Sequence, residues 1–203
     1  MKTQEEYRLG NIGWDETMAS DMRDYIKLYG IYLEDWSSLW AGKTYNYHLL
    51  REWVSSATIA SKVSTVWTAS GCSFIFPHHI KKTYFLEGVV EGEITFAGAS
   101  AATDVTNYRV SIFKRNEDTT ETNLCTTGVR TLTNHAIAAD DIGRYHFWID
   151  AYEAKELSDY DRLGLRVEWN VNGIAGPTAA LYHDYLDGWG YDIWVDVPLI
   201  LGD

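Results

Sequence analysis

One run in this chain constrains the fold more than any other, because every second residue in it is apolar. From Leu163 onward these are Leu163, Leu165, Val167, Trp169 and Val171, with Gly164, Arg166, Glu168 and Asn170 between them. A period of two sends alternate side chains to opposite faces of an extended chain, one buried and one wet. A helix would scatter the same five apolar residues around its circumference. The polar stretch from Lys155 to Asp161 reads as the turn that launches this strand.

The same period recurs on both sides of it. Tyr84, Leu86, Gly88, Val90, Gly92, Ile94 and Phe96 share one face, with Glu87, Glu91, Glu93 and Thr95 on the other. Inward glycines are expected to make room for a large side chain opposite, a tryptophan being the candidate. Tyr108, Val110 and Ile112 continue the pattern with Phe113 outward. Weaker strands are expected at Leu124 to Leu132 and Ala136 to Ala138. Then come Tyr145, Phe147, Ile149 and Ala151, later Ala179, Leu181 and His183, and finally Ile193 to Leu201. Asn172-Gly173 and Gly176-Pro177 are turn punctuation. Short alternating strands with regular turn signals predict a mainly β fold. It is an antiparallel β-sandwich, jelly-roll-like, of about seven or eight strands over residues 68–203.

Residues 1–67 differ. They hold eleven of the twenty-three Tyr and Trp residues and no Phe, and carry nine acidic against seven basic groups. Met18, Met22, Tyr25, Ile26 and Tyr29 recur at helical spacing, with Asp15 as N-cap and Gly30 as stop. A second helix is expected from about Tyr47 to Ser61. The reading is a short α-helical, aromatic-rich N-terminal region, too thin for a core of its own. Its surplus rings, Tyr25, Tyr29, Tyr32, Trp36 and Trp40, are expected to dock on neighbouring subunits.

Net charge bounds the partners. The chain carries −12 overall, most of it beyond residue 67, which argues against nucleic acid. No apolar run reaches the ~18 residues of a membrane-spanning helix, so no membrane partner is expected. Met1 to Glu6 lacks the apolar stretch of a signal peptide, and no Sec export is expected. Cys72 and Cys125 have neither disulfide-scaffold nor metal spacing and are expected as reduced thiols.

Chemistry-bearing groups are few. Glu87, Glu91 and Glu93 could serve acid–base work on a glycosidic bond, but they alternate as a solvated face would. His78 and His79 are adjacent on an extended chain and point apart, so no metal site is expected. The segment from Tyr182 to Asp192 is the most unusual piece, with Asp184, Tyr185, Asp187, Trp189 and Tyr191 as a contact loop for a subunit or a sugar. Its spacing is not that of an EF-hand calcium loop. No Gly-x-Ser-x-Gly, phosphate loop or dinucleotide fingerprint occurs. No catalytic residue and no cofactor is expected, and the chain is expected not to be an enzyme.

A resemblance sharpens this. Leu157-Ser158-Asp159-Tyr160-Asp161-Arg162-Leu163-Gly164-Leu165-Arg166-Val167, then Leu181-Tyr182-His183-Asp184, then the closing strand Asp192 to Leu201 resemble the β-sandwich virion structural proteins of tailed bacteriophages and related archaeal viruses, auxiliary or decoration type. The likeness covers about residues 83–201 and rests on strand pattern and short strings. It implies a non-enzymatic subunit repeated on a capsid or tail, assembled in the host cytoplasm. Its partners would be other virion proteins and copies of itself, with no catalytic residues to carry over. The alternative from the residues alone is a carbohydrate-binding or adhesion module, with glycan as the partner.

The register makes a direct prediction. Leu165 and Val167 belong inside, and Arg166 and Glu168 outside. Val167→Asp places an unpaired charge in the core at a cost of several kcal/mol, against a total stability of about 5–15 kcal/mol. Circular dichroism of this variant is expected to lose the cooperative β melt; an unchanged melt would refute the register.

Overall fold

The computed structural model describes residues 24–32, 38–40, 43–45, 47–50, 59–62, 72–98, 103–118, 120–132, 136–137, 142–172, 179–182 and 193–202. These form fifteen strands: β1 Asp24–Tyr32, β2 Ser38–Trp40, β3 Lys43–Tyr45, β4 Tyr47–Leu50, β5 Ile59–Lys62, β6 Ser73–Ile75, β7 Tyr84–Gly98, β8 Thr103–Arg115, β9 Glu121–Thr126, β10 Arg130–Thr131, β11 Ala136–Ile137, β12 Ile142–Leu157, β13 Arg162–Asn172, β14 Ala179–Tyr182 and β15 Ile193–Leu201. The fold is mainly β. Thirteen strands join one sheet in the order β10-β8-β13-β6-β4-β1-β15-β7-β14-β5, with β9 and β11 on β8 and β12 on β7. Pairing is antiparallel except for the single β4–β6 bridge at His48 and Ile75.

The sheet comes close to closing on itself. Where β12 approaches β8 and β10, the Tyr108 hydroxyl donates to the His146 carbonyl at 3.5 Å, and the Arg130 guanidinium lies 5.1 Å from the centre of the Trp148 ring. Inside the sheet sits one apolar core. Leu165, Val167, Trp169, Val110 and Ile112 enter it from β13 and β8; Val90, Ile94, Phe96, Val195 and Val197 enter from β7 and β15. Trp169 and Phe96 meet at 5.3 Å between ring centres, with Tyr145 and Tyr108 beside Phe96 at 5.8 and 6.4 Å. Such tilted contacts suit the ring quadrupoles and bury large apolar area.

Several expectations change here. Among the described residues no helix is present. Residues 24–32, the end of the first expected helix, are strand β1, and the second expected helix has strands at Tyr47–Leu50 and Ile59–Lys62. The cause is tertiary: β1 has β15 along one edge, from Asp24↔Leu199 to Gly30↔Ile193, and β4 along the other. Ile26, Leu28 and Gly30 then point inward, and Tyr25, Lys27 and Tyr29 outward. Propensity yields to such pairing.

Phe113, expected outward, is fully buried over Gly164, with the Arg166 guanidinium 4.6 Å from its ring centre. Glu168, expected wet, is buried as well. Its carboxylate accepts a hydrogen bond from Arg109 Nε at 2.7 Å, which supplies the partner a buried charge needs. Nearby, Glu121 accepts from Arg166 and from Arg115, the latter at 3.2 Å, and Asp161 accepts from Lys114 at 2.9 Å. Leu165 and Val167 are buried as the alternation requires. Neither cysteine forms a disulfide, and burial pushes the Cys125 thiol up to about 12.

Glycine on β7 does make room, but for a phenylalanine. A Cβ on Gly92 would lie 2.6 Å from Phe147 Cζ and collide with the backbone carbonyl of Trp194. Gly92→Ala must therefore push β15 or β12 away from β7. We expect a loss of about 1–3 kcal/mol by chemical denaturation. A variant as stable as the parent would show that the close approach is not required.

Candidate functional site: an aromatic and acidic sheet face

The alternation that fills the core also builds the opposite face of β12, β7, β15 and β1. With Phe147, Ile149 and Ala151 inward, Arg144, His146, Trp148 and Asp150 point out. On β7 the same face carries Glu87, Val89 and Glu91, with Glu93 and Thr95 buried on it; on β15 it includes Trp194 and Asp196; on β1 it is Tyr25, Lys27 and Tyr29.

Register turns these into rows across four strands. His146, Glu93, Trp194 and Tyr29 lie side by side in one row. Trp148, Glu91, Asp196 and Lys27 form the next. Below them Asp150 opposes Val89, and Tyr25 opposes Pro198. Trp148 and Trp194, two strands apart and one row offset, stand about 12 Å from each other by strand spacing and rise.

The rows are held by specific contacts. His146 Nε2 lies 2.9 Å from Glu93 Oε2, and Glu93 is almost buried while His146 is exposed. The His146 ring meets Trp194 edge-on at 6.2 Å. Lys27 Nζ sits 4.0 Å from the Trp194 ring centre and 5.9 Å from that of Tyr29. Burial pushes the Asp196 carboxyl up; Lys27 pulls it down, and Glu91 opposite adds a further upward push. Apolar surface remains open to water: Trp148 is 54% exposed, Tyr152 83%, Tyr25 57% and Val89 41%. The Asp150 carboxylate holds the Tyr152 phenol above its ordinary value.

Chemically, the face offers flat rings for stacking, carboxylates that accept from hydroxyl or ammonium groups, and an imidazole set against a carboxylate. Glu87, Glu91 and Glu93 share it, as the alternation indicated. Of the expected subunit-contact residues, Tyr25 and Tyr29 belong to it. Tyr32 and Trp40 lie on β1 and β2, while Trp36 and the loop residues Asp184, Tyr185, Asp187, Trp189 and Tyr191 lie outside the described residues. Trp148, Tyr152, Trp194 and His146 were missed as site residues. Their signal was the outward half of each alternating run, which becomes a site only once register is known. His79 stands apart, stacked on Tyr160 at 5.6 Å.

No family model matches the chain, and no curated protein matches it in sequence. Solved structures match it in fold. A CocE/NonD family hydrolase from Staphylococcus aureus, in two crystal structures, aligns at TM-score 0.58 and 13% identity, over 91% of this chain and 38% of its own. An aminopeptidase from a marine sediment Thaumarchaeota archaeon aligns at TM-score 0.56 and 10% identity, over 87% of this chain and 37% of its own. The chain thus spans less than two fifths of the length of either enzyme. At these identities the likeness carries the fold alone. It corrects one expectation: a fold of this kind occurs within hydrolytic enzymes, so the view that the chain is not an enzyme is withdrawn.

Asp196 supplies a pH test. Its folded-state value lies above the unfolded one, so the folded protein holds that proton more tightly. Stability is then highest below the unfolded value and falls as pH rises through the window between the two. We expect Asp196→Asn to raise the melting temperature at pH 7, with the gain shrinking as pH drops through the carboxylate range. An equal gain at every pH would refute this account.

Proposed function

We propose that the chain is a jelly-roll-like β-sandwich module that binds carbohydrate through its β12–β7–β15–β1 face, as the ligand-holding part of a hydrolase-type protein. The observation that carries this is the open row of rings interleaved with carboxylates. Exposed aromatic surface of this kind marks binding sites more often than bare surface. Trp and Tyr present large apolar area on stiff side chains, suited to the apolar face of a sugar ring, and Glu91 and Asp196 stand where they accept from its hydroxyls. The sandwich reading is supported by the inward rows of β8 and β13 facing those of β7 and β15. The hydrolase context is supported by the fold likeness, in which a chain of this size makes up a minor share of a larger enzyme.

A second reading, a repeated subunit of a virus particle, comes from the sequence resemblance and is favoured by the exposure of Tyr25. It expects fixed-copy co-purification with intact particles.

A glycan array followed by calorimetry tests the first reading. Trp148→Ala and Tyr152→Ala remove exposed rings; Tyr152→Ala should leave stability within about 0.5 kcal/mol of the parent, and Trp148→Ala should cost about 0.5–1 kcal/mol more through its Arg130 contact. Each is expected to weaken binding of the best glycan about tenfold, or roughly 1.4 kcal/mol. Unaltered binding by both variants would move the site elsewhere.

A further inference from the structure

Resting on the carbohydrate reading, we infer that the face selects amino sugars carrying a free ammonium group over neutral or acidic sugars. The juxtaposition that points to this is a cross-strand carboxylate pair beside two tryptophans that already hold cations. Glu91 on β7 and Asp196 on β15 are direct cross-strand partners. Like charges in that relation repel, and a cation placed between them removes the repulsion. Of the other groups facing them, Glu93 is engaged by His146 at 2.9 Å, and Asp150 and Glu87 add negative charge along the same face. Lys27, opposite Asp196, is the ammonium in their row.

That ammonium pulls the Asp196 carboxyl down and is shared with a ring. It sits 4.0 Å over Trp194, while Arg130 sits 5.1 Å over Trp148. Both rings therefore present their negative faces to cations within this molecule. A sugar ammonium entering the row finds two carboxylates and the face of Trp194. A neutral sugar gains only the stacking and hydroxyl bonds. A uronic or sialic acid meets Glu91, Asp196 and Asp150 as like charges. Lys27, on a flexible four-carbon stem, is then a resident competitor that the ligand must displace.

The test uses the full chain at pH 6 with four hexamers: β-1,4-linked glucosamine, its N-acetylated form, glucose, and galacturonic acid. Calorimetry should give at least tenfold tighter binding of the glucosamine hexamer than of the glucose hexamer, and none of the galacturonic acid. Lys27→Met removes the competitor and should tighten the glucosamine hexamer about two- to fivefold, the scale of one exposed cation–π contact. The same change should not tighten the glucose hexamer. Trp148→Ala/Trp194→Ala keeps the net charge, so glucosamine binding that survives it would expose a diffuse attraction to an acidic protein and overturn the inference. Glucose binding equal to glucosamine binding would overturn the selectivity and leave the carbohydrate reading intact. Failure of every hexamer, with no hit on the array, would remove both.

Discussion

Strand β7 is the member on which the other described strands depend. It is hydrogen-bonded along both edges, to β12 from Ile142↔Ala97 to Leu157↔Tyr84 and to β15 from Trp194↔Glu93 to Leu201↔Tyr84, and it meets β14 near its end. Its inward residues Leu86, Val90, Ile94 and Phe96 are fully buried, and Phe96 carries the ring contacts that reach Trp169 on β13. Its outward residues lie in the middle of the proposed binding face. One pairing thus sets both the core and the site. The bulge between Ala151 and Lys155 lets β12 follow β7 over its whole length and delivers Tyr152 to the surface.

This double role explains what the amino-acid sequence could and could not disclose. Period two is a local property, and it placed Leu165, Val167, Val90 and Ile94 in the core without any knowledge of neighbours. Which face of a strand stays wet is not local. Phe113 and Glu168 lie on the second face of β8 and β13, and both are buried there. Alternation separates two faces; it does not say that one of them meets water. The N-terminal misreading has a related cause. Met18, Met22, Tyr25, Ile26 and Tyr29 fit a helical stripe, yet Ile26, Leu28 and Gly30 against Tyr25, Lys27 and Tyr29 fit a strand equally well. The edge of β15 decides between them.

The candidate face was legible only in fragments. The glutamates of β7 were visible as a row, but His146, Trp194 and Lys27 come from three other strands far apart in the chain. Nothing in a sequence states that His146 stands opposite Glu93, or that Asp196 stands between Glu91 and Lys27. Register assembles these residues into one face.

The partnership of β1 with β15 also governs how the molecule forms. Asp24 pairs with Leu199, so β1 finds its partner far along the chain, in a strand made long after it. Pairings of such sequence separation must close a long loop before they return any stability, and folds dominated by them reach the native state in milliseconds to seconds rather than microseconds. Until β15 emerges, one edge of β1 and the inward side chains Ile26 and Leu28 lack the cover they have in the finished sheet. In the nascent chain that edge is a template for strands of other molecules, and holding it idle is a task that falls to chaperones.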